Sequence, residues 1–181
     1  MRRFVTLLSL ALLAPLAVEA APTTVSVVNI QTIMRESVAT KSVREQLEAK
    51  QKAYQAEISK QEQALQKEEQ ELAKQQSALS KEAFEEKVKA FRTKATSMQK
   101  EVQVKKATLD GAYEQSLAQV QKTMEGIISE LAKEKGFNIC IPSSQLIFAE
   151  PSLDITADVL KRLNEKLPNY TVKFEAPAAK K

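Results

Sequence analysis

Catalysis needs a proton carrier, a nucleophile or a set of ligands, and this chain is poor in all three. It has no histidine, so the commonest general base and the commonest metal ligand are missing together. Its single cysteine, Cys140, lies between Ile139 and Ile141 and reads as a small buried apolar side chain, not a reactive thiol. The sequence has no Gly-rich phosphate loop, nucleophile elbow or metal-ligand cluster, and its carboxylates fall on helical surface runs. No catalytic residue, cofactor or metal is expected, and the chain is not read as an enzyme. The residue types offer charge and soft apolar surface instead. Lys81, Lys87, Lys89, Arg92 and Lys94 are interleaved with Glu82, Glu85 and Glu86. Residues 81–106 carry eight bases and four acids, whereas 41–80 carry seven of each. That excess suits an acidic polypeptide or an anionic lipid surface; the bland alternative is a solvated helix face. Phe84, Phe91 and Met98, with Tyr54, can present adaptable apolar contacts; the alternative is that they only hold two helices together.

The elements that carry these residues follow from what is absent. No proline occurs between Thr23 and Ile141, and no glycine before Gly111. The stretch between is rich in Lys, Glu, Gln and Ala, so nothing in it opposes a helix. Ser42 and Glu45 have capping-box spacing and predict a helix start. Ile58, Leu65, Leu72 and Leu79 repeat every seven residues, one edge of a coiled-coil seam. Gln61, Glu68 and Gln75 occupy the companion row, so this half is expected to be wet, weakly paired and mobile. The tip is placed near 77–81, with Ser80 capping a returning helix. A single unbroken helix is the alternative, but it would extend roughly 140 Å at about 1.5 Å per residue and leave the half-seam without a partner. The returning seam runs Phe84, Val88, Phe91, Ala95, Met98, Val102, Leu109, Tyr113, Leu117, Val120, Met124, Ile127 and Leu131. Lys105 interrupts it, and the two steps of four at Leu109, Tyr113 and Leu117 are a stutter. It surrounds Gly111, taken as the junction of arm and body.

Both ends of the chain supply the body. Thr24–Val28 reads as a strand, Asn29 as the cap of a short helix with Ile30, Ile33 and Met34 inward, and Phe137–Ile141 and Leu146–Phe148 as further strands. Gly136 after Lys133 and Lys135 ends the long helix. Ile155, Val159, Leu163 and Leu167 share a face of a final helix stopped by Pro168. Val27, Val28, Ile139, Ile141, Ile147 and Phe148 are more apolar surface than three short strands can cover, so self-association through the sheet is expected.

Met1-Arg2-Arg3, an apolar run from Phe4 to Val18 and Val18-Glu19-Ala20 have the form of a cleaved secretory signal peptide. The domain reading is therefore signal peptide 1–20, first strand and short helix 21–41, hairpin arm 42–110, return to the body 111–167, and a disordered tail 168–181. The formal charge of +4 becomes +3 without Arg2, Arg3 and Glu19, which favours mildly acidic partners. An exported protein with one cysteine fits a bacterial periplasm, and nucleic acid is not an expected partner.

Together the signal peptide, the early strand ending Val28-Asn29, the Lys/Gln/Glu arm and the closing Asp154-Ile-Thr-Ala-Asp-Val-Leu-Lys161 resemble the Skp/OmpH periplasmic chaperones, from about Val25 to Leu167. The resemblance implies a mainly α fold: a long antiparallel coiled-coil hairpin arm on a small β body that trimerises, jellyfish-like. It implies an ATP-independent holdase that binds unfolded outer-membrane β-barrel proteins and prevents their aggregation. In some members it also implies lipopolysaccharide binding through basic arm residues. A structural coiled-coil rod or tether in the cell envelope is the competing reading.

Overall fold

The computed structural model describes residues 22–176; the signal-peptide expectation lies outside them. The chain is mainly helical with one small strand pair. In order it forms β1 (Val25–Val28), α1 (Ile30–Glu36), α2 (Val38–Gln75), α3 (Lys81–Lys135), β2 (Ile139–Pro142) and α4 (Thr156–Lys166), with single 3-10 turns at Ser143–Gln145 and Pro151–Leu153.

The short helix begins where the sequence places it. Asn29 Oδ1 accepts from Thr32 N at 2.9 Å, the ordinary N-cap bond. Ile33 is fully buried and Met34 packs beside it, but Ile30 is exposed, in correction of its inward assignment. α2 then starts four residues before the expected Ser42. Ser37 is its N-cap, accepting from Thr40 N at 3.3 Å. Ser42 lies inside the helix and donates to the carbonyl of Tyr170 at 3.2 Å. The capping-box spacing is met at 42–45, but the serine has a tertiary partner instead.

Residues 76–80 turn the chain, and Ser80 caps α3 through Ala83 N. α3 then runs without a break through Gly111 and Gly126 to Lys135. Gly136 closes it in the left-handed conformation, φ 75°, its N–H bonded to Ala132 O. Only glycine takes that conformation without penalty.

The core lies where α3 enters the body. Val120, Met124, Ile127 and Leu131 of α3 pack with Val28, Ile33, Ala39, Phe137, Ile155, Val159 and Leu163. The α4 face was legible: Ile155, Val159 and Leu163 are buried, and Leu167 packs at the edge. Three ion pairs fasten α4 to α3 outside this core, Lys135–Asp158, Arg162–Glu134 and Lys166–Glu130.

β1 and β2 pair in parallel, Val25 opposite Ile139 and Val28 opposite Pro142. The expected strand at 146–148 does not form; those residues follow a 3-10 turn in open backbone. Val27 and Val28 are 4 % and 2 % exposed within the single chain, so they need no partner chain for burial. Ile139, Ile147 and Phe148 stay exposed.

The tail is also corrected. Tyr170, Val172 and Phe174 form a second small cluster with Val43, Leu47 and Ala112 at the base of α2 and α3. Residues 170–174 are therefore packed, because Val172 is apolar and has a site to fill. Residues 177–181 lie outside the described part of the chain.

Candidate functional site

The charged residues singled out in the sequence sit on α3 where it runs beside α2, and the structure divides them. Lys94 Nζ reaches Glu68 of α2 at 2.7 Å. Lys87 Nζ donates to Gln75 Oε1 at 2.6 Å. Gln61 Nε2 donates to Glu101 Oε2 at 3.0 Å. Gln61, Glu68 and Gln75 step by seven along α2, while Glu101, Lys94 and Lys87 step by seven the opposite way along α3. One antiparallel register thus satisfies all three pairs. The companion row expected to be wet and weakly paired is a polar ladder, and Lys87 and Lys94 belong to it.

Lys105, read as an interruption, has a place in the same register. Its side chain is 13 % exposed and bridges Glu57 of α2 at 2.5 Å and Glu101 of its own helix at 3.0 Å. Its ammonium lies 4.4 Å from the centroid of Tyr54, with Lys50 on that ring at 4.7 Å. The bond to Glu57 raises the Lys105 pKa above its ordinary value, against partial desolvation. The bond from Lys105, with that from Gln61, lowers the Glu101 pKa. Both shifts favour the ion pair. Gln61 Oε1 is a buried side-chain oxygen without a partner.

Lys81, Lys89 and Arg92 are exposed and form no ion pair among the described residues. Phe84 and Val88 line an open groove along α3 with Lys89 and Arg92. Met98 lies in a separate recess with Leu65, Gln61 and Lys94. Phe84, Phe91 and Met98 are all half-buried at seam positions, so each leaves part of its surface open. Nearer the base the buried row is Thr108, Ala112 and Ser116, one residue off the expected Leu109, Tyr113 and Leu117. Ala112 of that row belongs to the cluster the tail joins; Tyr113 is left 47 % exposed.

A second surface lies at the body. Ile147 and Phe148 stand out of the chain beside Leu146 and Pro151, and Ile139 is exposed on β2. Cys140 on that strand packs against the core, and burial pushes its thiol pKa up, which disfavours the thiolate. No described helix is long and apolar enough to cross a membrane, and no metal-binding cluster occurs among the described residues.

The family model for the outer membrane protein (OmpH-like) family matches residues 24–163. The chain belongs to that family. A crystal structure of a candidate outer membrane chaperone, OmpH-like, from Caulobacter crescentus CB15 shares its fold. The two superpose with a TM-score of 0.77 at 19 % identity, over 86 % of this chain and 92 % of the other. No curated protein matches it. The family match ends at residue 163, before the docked residues 170–174.

The sequence missed the partners, Glu57, Glu68, Gln75 and Glu101, and the docking of the tail by Gln46. The signal for the ladder was present, since both polar rows keep the seven-residue step.

Proposed function

We propose that this OmpH-like chain is an ATP-independent holdase that binds unfolded outer-membrane β-barrel proteins in the periplasm, as a homotrimer. Its α2–α3 pair acts as a coiled-coil arm, and the three arms surround the client. The observation that carries this reading is the outer helix pair. It has no buried residue between Arg44 and Ala107, yet it offers half-buried Phe84 and Val88 beside the unpaired cations Lys89 and Arg92. A wall held this lightly can flex to fit clients of different size. Ile139, Ile147 and Phe148 supply the contact between subunits, while Val27 and Val28 support it from within each chain. Ile141 on β2 joins the same contact. Anionic lipid or lipopolysaccharide would meet the same exposed cations.

The test is aggregation of a denatured outer-membrane barrel, diluted into buffer with and without the protein and without nucleotide. Suppression supports the reading; aggregation at the rate of the barrel alone overturns it. Changing Lys81, Lys89 and Arg92 together to Gln should slow capture and flatten its salt dependence, because exposed charges are screened over about 8–10 Å near physiological ionic strength. Lys87 and Lys94 are left in place because they hold Gln75 and Glu68. Equal salt slopes would reduce these cations to a solvated face. Ile139→Asp should leave each chain folded but monomeric by sedimentation, whereas Val28→Asp should unfold it by burying a charge.

A further inference from the structure

The tail is seated in an unusual way. From Tyr170 the chain runs extended, and its side chains alternate. Tyr170, Val172 and Phe174 face the helices, and Thr171, Lys173 and Glu175 are exposed. Val172 is 5 % exposed between Val43 and Ala112, and Lys50 lies 5.6 Å from the Phe174 ring centroid. Gln46 holds the backbone. Its Nε2 donates to the carbonyl of Tyr170 at 2.7 Å, and its Oε1 accepts from Val172 N at 3.0 Å. These two backbone groups flank Thr171 on the same edge of an extended strand. A residue of a neighbouring parallel strand would bond that same pair. The side-chain amide therefore stands in for the peptide groups of a missing strand. Ser42 adds a second donor to Tyr170 O and accepts from Gln46 Nε2, which fixes the amide.

A site built this way reads backbone and alternate apolar side chains, and it makes no demand on the residues between them. We propose that the groove over Val43, Leu47 and Ala112 is a binding site for an extended segment of unfolded polypeptide with apolar side chains at alternate positions. The chain's own tail occupies it at rest. Period-two alternation of apolar and polar residues is the pattern of a membrane β-barrel strand, and an unfolded barrel presents it many times. Main-chain bonds give such sites affinity and alternate pockets give them specificity. The tethered tail competes at an effective concentration in about the millimolar range, so a client segment displaces it only when several segments engage together. The identity of the client as an unfolded barrel rests on the holdase reading; the groove itself does not.

The probe is a fluorescein-labelled seven-residue peptide copying Asn169 to Glu175, and its binding is followed by anisotropy on the full chain. Val172→Asp unseats the tail, so this variant should bind the peptide at least tenfold more tightly than wild type. Adding Gln46→Ala should abolish that gain. A peptide of the same composition with its apolar residues in one block should bind no better to the variant than to wild type. Where Val172→Asp loses helical circular dichroism, Val172→Pro replaces it, since proline removes the N–H that donates to Gln46 Oε1 and fixes φ at about −65° without burying a charge. Equal binding to wild type and the tail variant, or binding indifferent to Gln46, overturns the proposal. Competition by a denatured barrel separates the two readings. If wild type keeps the barrel soluble but the barrel does not displace the peptide, the groove is not where the client binds and the holdase reading stands. If the barrel displaces the peptide but wild type does not keep it soluble, the groove stands and the holdase reading fails.

Discussion

At the base of α3, Val120, Met124, Ile127 and Leu131 are at most 2 % exposed and pack against Ile33, Val159 and Leu163. Along the outer part of the same helix, nothing from Lys81 to Ala107 is buried. The base is held by apolar area removed from water, which is strong and indifferent to pairing detail. The outer pair combines half-buried Leu65, Leu72, Phe84 and Phe91 with a polar ladder at fixed register. Exposed ion pairs contribute little stability individually, but a slip by one residue would separate every pair in the ladder at once. The outer helices therefore have a well-defined register and a weak hold, which suits a surface that must deform without mispairing.

The sharpest way to break this contrast is to remove one leucine from each region. Leu163→Ala empties a fully buried site and should cost about 2–5 kcal/mol, seen as a lower denaturant midpoint for the whole chain. Leu65→Ala removes a half-buried side chain and should cost roughly 1 kcal/mol by lost area. It should appear mainly as faster amide exchange between Tyr54 and Val102, with the midpoint near wild type. Equal shifts of the midpoint would mean that base and outer pair unfold as one unit.

The sequence showed the base more clearly than the outer pair, for a physical reason. Apolar periodicity reports burial, and it located α4, the α1 contact at Ile33 and the thick face at Ile127 and Leu131. It misplaced the row at Leu109, Tyr113 and Leu117 because large apolar residues were favoured over Thr108, Ala112 and Ser116. At Ala112 another segment, the tail, comes close, and apolar periodicity carries no information about that approach. The ladder was missed because polar residues at seam positions were read only as weakening the pairing. Their partners are 12 to 48 residues away in sequence. The candidate binding residues were found as types but not as roles: Lys87 and Lys94 hold α2, whereas Lys89 and Arg92 remain free.

A substitution that makes the outer pair resemble the base sharpens the comparison. Gln61 keeps one buried oxygen without a partner, and an unmet acceptor costs about 1–3 kcal/mol when fully shielded from water. Gln61→Leu should therefore raise amide protection of the outer helices several-fold, since Glu101 keeps its bond to Lys105. The reverse change, Lys105→Met, should lower protection there by about tenfold, because Glu57 and Glu101 lose their shared cation and Tyr54 one of two ammonium groups. Exchange at Ile127 to Leu131 should not respond to either. Loss of protection in Gln61→Leu would show that the amide contributes more than its unpaired oxygen costs.

The smallest expected effect is that of acid. Glu101 on the outer pair is shifted below the ordinary 4.5 by its bond from Lys105. At the base, Glu134 is lowered by Arg162 and Asp158 by Lys135. A carboxyl lowered on folding stabilises the fold above its unfolded value, and that contribution is lost as pH falls through the lower folded value. Acid therefore weakens both regions below about pH 4.5. The base keeps its apolar core when the Glu134 and Asp158 pairs go, whereas the outer pair keeps only half-buried contacts. Lys105 moves in the other direction: raised above 10.5 by Glu57, it stays charged at all lower pH and gives up its own charge only as pH rises through that higher folded value. Protection factors corrected for intrinsic exchange should thus stay level from about pH 5 to 10. Toward pH 3 they should fall first between Tyr54 and Lys105 and later between Val120 and Leu131. Simultaneous loss in both regions would place the ion pairs of α4, and not the apolar core, at the centre of the base's stability.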